Sequence, residues 1–173
     1  GSGIINGSLL TTSSVCGTTL GASNTVTSCN ATNTSGGAIS LINTAAPLTI
    51  TAISQTGSGN VTVNNTGNIL ITGSIAAGAG NNTSLTSSGT IIETGVGLIS
   101  GALLTTSTVG GMVLNGANAV TSFNATNTSG GAVSLINTAA TLTLANYSQT
   151  GVGNFSVNKT GNISITGSVA AAS

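Results

Sequence analysis

A parallel β-helix of about nine rungs, an all-β solenoid, is the fold this sequence predicts, and three observations predict it. Residues 1–79 recur as residues 95–173 in unbroken register, so that SCNATNTSGGAISLINTAA at 28–46 returns as SFNATNTSGGAVSLINTAA at 122–140, with roughly two-thirds of positions identical. A repeat that tolerates no insertion is a structural unit rather than a set of connecting loops. Within it, apolar positions recur at a step of about 20 residues, the length of a solenoid turn. Between them, short segments alternate apolar and polar side chains at period two, as half-buried strands do.

Each element follows from these patterns. AISLIN (38–43), LTIT (48–51), NVTVNN (60–65) and ILITGSI (69–75) read as strands, and the Gly, Asn and Ser between them as corners. The ladder Leu41, Val63, Leu85 is evenly spaced, flanked by Ile39, Val61, Thr83 and by Asn43, Asn65, Ser87. From Leu85 a slightly shorter step is expected, to Leu104 and Phe123, and Leu10, Cys29 and Leu48 repeat that shorter spacing in the first copy. Continued upward, that ladder meets Leu135, the equivalent of Leu41, too soon after Phe123 for a full turn, which leaves a rung boundary open near Asn127 to Gly131. The expected interior comprises Ile39, Leu41, Val61, Val63, Leu85, Leu104, Phe123, Val133, Leu135, Phe155 and Val157. Residues 1–94 form a first unit of about five rungs and 95–173 a second, incomplete one, in one continuous solenoid. The chain opens inside this pattern, which reads as a segment of something longer.

Stacking explains the composition. In a solenoid each side chain lies about 4.8 Å above its counterpart one turn below, so a repeated charge would face its like across that gap. Asn and Thr stack without repulsion and hydrogen-bond along the ladder. Glu93 and Lys159 are the only charged side chains among 173 residues, and histidine and tryptophan are absent. With neither a basic nor an acidic face, the electrostatic footprint of a nucleic-acid or anionic-membrane partner is missing, and no apolar run reaches the length of a membrane span.

The stretches NATNTSGGAISLINTAAPLTI, QTGSGNVTVNNTGNILITG and GLISGALLTTSTVGG resemble the repeat regions of very large secreted bacterial adhesins, the filamentous-haemagglutinin-like exoproteins of two-partner secretion and related autotransporter passengers. The resemblance covers essentially the whole chain and rests on repeat style. It implies a right-handed β-helix, export to the cell surface or extracellular matrix, and a role in adhesion or in a surface fibre. Its partners on this reading are neighbouring repeats, further copies of the chain stacked end to end, and a cell-surface glycan or receptor.

Residues that could carry chemistry are few. Hydrolysis needs a nucleophile with a base, or paired carboxylates; without histidine and with one carboxylate, no catalytic residue is assigned and a polysaccharide-degrading β-helix is disfavoured. Glu93, in TIIETG, reads as a solvated strand or turn residue, and Lys159, which replaces Asn65 in the second copy, as exposed. The aspartates of calcium-binding solenoid repeats are absent, and GSGN (57–60) and GVGN (151–154) read as corner glycines rather than nucleotide loops, so no metal or cofactor site is expected. Cys16 and Cys29 correspond to Gly110 and Phe123, so Cys29 is expected to point inward, and both thiols to be free, since the second copy manages without them. Asn-x-Ser/Thr triplets at Asn30, Asn33, Asn60, Asn64, Asn124, Asn127, Asn154 and Asn158 are candidate glycosylation sites, though such a composition produces these triplets by itself. A Thr/Asn/Ser face could bind glycan or ice, but the Thr-x-Thr pattern of ice binding at Thr49–Ile50–Thr51 becomes Thr143–Leu144–Ala145 in the second copy.

Overall fold

A computed structural model describes residues 2–172, and these form a single sheet of sixteen strands, all paired in parallel, wound into a β-solenoid with no helix. Its clearest ladder runs Thr18, Ile39, Val61, Thr83, Leu104, Phe123, Leu144, Ile165, one residue per turn, so the described chain makes about eight turns rather than nine. The turns differ slightly in length: that from Leu104 to Phe123 is the shortest along this ladder, and those from Ile39 to Val61 and from Val61 to Thr83 are the longest. Strands alternate as expected, buried residues separated by half-buried ones in Ile39–Asn43, Thr83–Ser87 and Val133–Asn137 and by exposed ones in Val61–Asn65. Of the expected interior positions, nine are buried, and Phe155 and Val157 are half-buried against the same core.

Two of the expected ladders slip by two positions. Leu85 is followed by Thr106, while Leu104 sits over Thr83, and Cys29 is followed by Ile50 rather than Leu48. Period-two alternation is indifferent to a slip of two, because it preserves the inward face. Leucine identity therefore chose the wrong member of each pair.

The open rung boundary has a geometric origin. Val133 is the sequence equivalent of Ile39, yet it does not lie in the ladder of Ile39. It lies in that of Leu48, which continues through Ile69, Ile91 and Met112 to Val133 and Phe155. Leu48 begins the next side of the solenoid after the strand of Ile39, and four turns above Leu48 stands Val133. The repeat thus spans four turns plus one side, not five whole rungs, and the second copy is rotated by one side about the axis. Over Ile39 stands, five turns up, Leu144, the equivalent of Ile50.

Candidate functional site

Repeated asparagines close the corners. Asn33 accepts the Gly17 N–H at 2.8 Å, and its equivalent Asn127 accepts the Gly111 N–H at 3.0 Å. Asn24 accepts from Ile5 and Asn118 from Ile99; Asn43 accepts from Val26 and Asn137 from Val120, each pair again one repeat apart. Their Nδ2 groups donate to main-chain carbonyls of the same corners, and Asn43 also donates to Asn65 Oδ1 at 2.9 Å. All these asparagines are buried. Corner backbone turned inward cannot reach water, and an unpaired buried amide costs about 1–3 kcal/mol, so the side-chain amide substitutes for the missing sheet partner. The same stretch of sequence builds the same corner on whichever side of the rod it falls.

Both charged residues lie elsewhere than expected. Glu93 is not solvated but only 7 % exposed, stacked on Ile71 in the interior. Its Oε2 accepts the Gly116 N–H at 2.7 Å and the Asn118 Nδ2 at 3.0 Å, while Oε1 is buried without a partner. Burial raises its pKa, opposed by those two hydrogen bonds. The sequence signal for this placement is the equal spacing of Ile69 from Ile91 and of Ile71 from Glu93, one turn in each case. Lys159 is half-buried rather than exposed: it pairs with Asn137 in the ladder and donates to the carbonyls of Ala139 and Thr160. It reproduces the bond from Asn65 to the Ala45 carbonyl at the equivalent corner of the first copy.

Cys29 points inward as expected, and burial pushes its thiol up to about 12; Cys16 is exposed, and both are free. A cavity of about 20 Å³ lies beside Cys29, lined also by Thr18, where the second copy has the larger Met112 and Phe123. Tyr147 and Phe155, which replace Ile53 and Val61, stack with ring centroids 3.8 Å apart.

The candidate glycosylation sites divide by burial. Asn60, Asn64, Asn154 and Asn158 are exposed, Asn30 and Asn124 half-buried on the outer face, and Asn33 and Asn127 are sequestered as corner amides. In the folded rod the last two cannot present their Nδ2 to a transferase.

One outer face is distinct from the others. Thr19, Ser40, Thr62, Ser84, Thr105, Asn124 and Asn146 stand in one outward column, and Ile42, Asn64, Thr86, Ser107, Thr126, Ser148 and Ala170 in the next, polar through its five middle positions. Both copies contribute to it. The adjoining side instead carries Thr49, Leu70, Ile92, Val113, Ser134 and Ser156, with an apolar middle. Among the described residues no group of three or more His, Cys, Asp or Glu side chains comes together.

No protein-family model matches the chain, and no match is found among curated proteins or solved structures.

Proposed function

We propose that this chain is a rod segment of a bacterial surface adhesin or extracellular matrix filament, in which it spaces or joins binding regions in cell adhesion or biofilm contact. The observation that carries this reading is the absorption of the repeat into stacking. Each repeat unit adds four turns and one side, closes with the same asparagine hydrogen bonds, and leaves an outer surface almost without charge, rich in hydroxyls and amides on one side and apolar along the middle of the next. Such a unit can be iterated without like charges meeting. At about 4.8 Å per turn it adds roughly 20 Å of rod.

A second reading, a glycan- or ice-binding surface, is favoured by the unbroken Thr/Ser/Asn column from Thr19 to Asn146. One experiment separates them. Deleting residues 1–173 from the secreting cell should abolish cell attachment or aggregation, while beads coated with the purified chain alone should pass unretained over neutral-glycan arrays and ice. Attachment that survives the deletion refutes the rod reading, and retention of the coated beads favours the binding surface.

A further inference from the structure

Glu93 occupies an inward ladder that carries Leu10, Cys29, Ile50 and Ile71 below it. Above it comes Leu114, one residue past the paired Ile92 and Val113. A carboxylate set among these side chains is held by one oxygen only. Oε2 accepts the Gly116 N–H at 2.7 Å and the Asn118 Nδ2 at 3.0 Å, whereas Oε1 is buried without a partner. Burying an ionised group costs free energy unless its oxygens are paired, and a carboxylate escapes that cost by taking up a proton.

Asn118 is the corner amide of the second copy that corresponds to Asn24. Each accepts a main-chain N–H on Oδ1, Asn24 from Ile5 at 2.9 Å and Asn118 from Ile99 at 2.6 Å. Each also donates at 3.3 Å to the carbonyl four residues before it. Their other bonds differ. Asn24 Nδ2 donates to the carbonyls of Ala22 at 2.8 Å and Ile42 at 2.9 Å. The equivalent bonds of Asn118, to Gly116 and Ile136, are both 3.2 Å, and Glu93 Oε2 stands at 3.0 Å as a further acceptor. The amide nitrogen has two hydrogens to give, and an ionised acceptor makes a hydrogen bond about twice as strong as a neutral one. The carboxylate therefore competes with the Ile136 carbonyl, whose bond to Asn118 ties this turn to the next.

Among the described residues no other charge faces this pair. The strands packed against Glu93 present Ile71 from below and Leu114, Gly116 and Asn118 from above, none of them titratable. Cys29 lies three turns below in the same ladder, Cys16 is exposed at an early corner, and Tyr147 belongs to the ladder of Ala125. Lys159 stands two turns above Asn118, about 10 Å away, and is bonded to the carbonyls of Ala139 and Thr160. A cavity of about 160 Å³, lined by Glu93, Thr94, Asn115 and Gly116 among others, brings solvent to this corner. We propose that Glu93 and Asn118 form a proton-operated joint between two turns of the rod. Ionised, Glu93 draws on the Asn118 amide, and the turn of Ile136 is held loosely. Protonated from solvent on Oε1, the oxygen that no donor faces, it offers Asn118 only a neutral oxygen. The Asn118 Nδ2 then returns to the carbonyls of Gly116 and Ile136, as Asn24 bonds those of Ala22 and Ile42. Burial raises the pKa of Glu93, against the pull of the Gly116 and Asn118 bonds. With the folded value above the unfolded one, this stabilisation is complete below the unfolded carboxyl value and is lost as pH rises through the folded value. The loss is at most about tenfold in the folding equilibrium per pH unit. Acid thus tightens the rod at this one place.

The test is the denaturation midpoint of the 173-residue chain from about pH 4 to about pH 8, a window that spans the ordinary carboxyl value. The side-chain amide signals of Asn118 and Asn24 are followed by NMR over the same range. Wild type should lose stability as pH rises, and the Asn118 signals should shift with that loss while those of Asn24 stay still. Glu93→Gln, whose amide oxygen still accepts the Gly116 N–H, is neutral throughout. It should keep only the pH dependence of the chain ends, and its Asn118 signals should not move. An equal pH dependence in wild type and Glu93→Gln would overturn the joint, as would a wild-type midpoint that rises with pH. A fall in stability with Asn118 signals as still as those of Asn24 would reduce Glu93 to a buried acid with no effect on the corner, and overturns it too. If Glu93→Gln fails to fold, the comparison of Asn118 with Asn24 in wild type decides alone.

Discussion

Replacing Asn43 by alanine tests the central structural claim, that one buried side-chain amide holds two turns of the rod together. Asn43 accepts the Val26 N–H at 2.9 Å, donates to the Val26 carbonyl at 3.0 Å and donates to Asn65 Oδ1 at 2.9 Å. All three residues are buried, so Asn43→Ala orphans up to three groups that water cannot reach. At about 1–3 kcal/mol for each, discounted for the second lone pair of the carbonyl, the expected loss is about 3–6 kcal/mol. Solenoids unfold in segments, so the sharpest assay is hydrogen exchange at the Val26 amide, whose protection should fall by several orders of magnitude. Asn137 makes the same two bonds to Val120, at 2.9 and 3.0 Å, but has Lys159 rather than asparagine above it. Asn137→Ala should therefore cost about 1 kcal/mol less than Asn43→Ala, on a different side of the rod. Asn64→Ala, on the exposed neighbour of Asn65, should change stability by no more than about 0.5 kcal/mol. If Asn43→Ala proves as mild as Asn64→Ala, the asparagine corners are decoration and the reasoning fails.

Other outcomes follow from the same geometry. Cys29→Val should fill part of the 20 Å³ cavity and stabilise the first turns by up to about 0.5 kcal/mol, read from the denaturation midpoint; a loss would show that the cavity wall has already relaxed. Iodoacetamide at mildly alkaline pH should label Cys16 alone, with Cys29 reacting only after denaturant is added. Because burial raises the Cys29 thiol to about 12, its contribution to stability is complete below the unfolded thiol value and declines as pH rises from there toward 12. Gly57→Ala should destabilise by about 2 kcal/mol or more, since the new methyl overlaps the Ser35 carbonyl one turn below, whereas Gly21→Ala, with open space around it, should be silent. Spin labels at Asn64 and Ser148, in one column four turns apart, should lie about 19 Å apart at their Cβ atoms. Labels at the sequence equivalents Asn64 and Asn158 should lie several ångströms farther apart, and equal distances would refute the rotation of the repeat.

By itself the sequence determined the kind of object and most of its interior. Alternation in ISLIN and VTVNN depends only on the two-residue period of a strand, and the absence of charge only on stacking, so both were legible without coordinates. Local periodicity also implied Glu93, since Ile69 and Ile71 stand one turn before Ile91 and Glu93, but the general preference of carboxylates for water outweighed it. What only the tertiary structure decided is phase. Corners take different lengths of chain, a step of two from Leu41 to Asn43, of four from Leu20 to Asn24 and of six from Glu93 to Ile99, while their ladder columns stay aligned. Each corner is locally permissible, and their cumulative length fixes which side a later strand reaches. Val133 therefore stands over Met112 rather than in the ladder of Ile39, and Glu93 meets Gly116 and Asn118, because ring closure sums over the whole turn while sequence patterns report only on the strand.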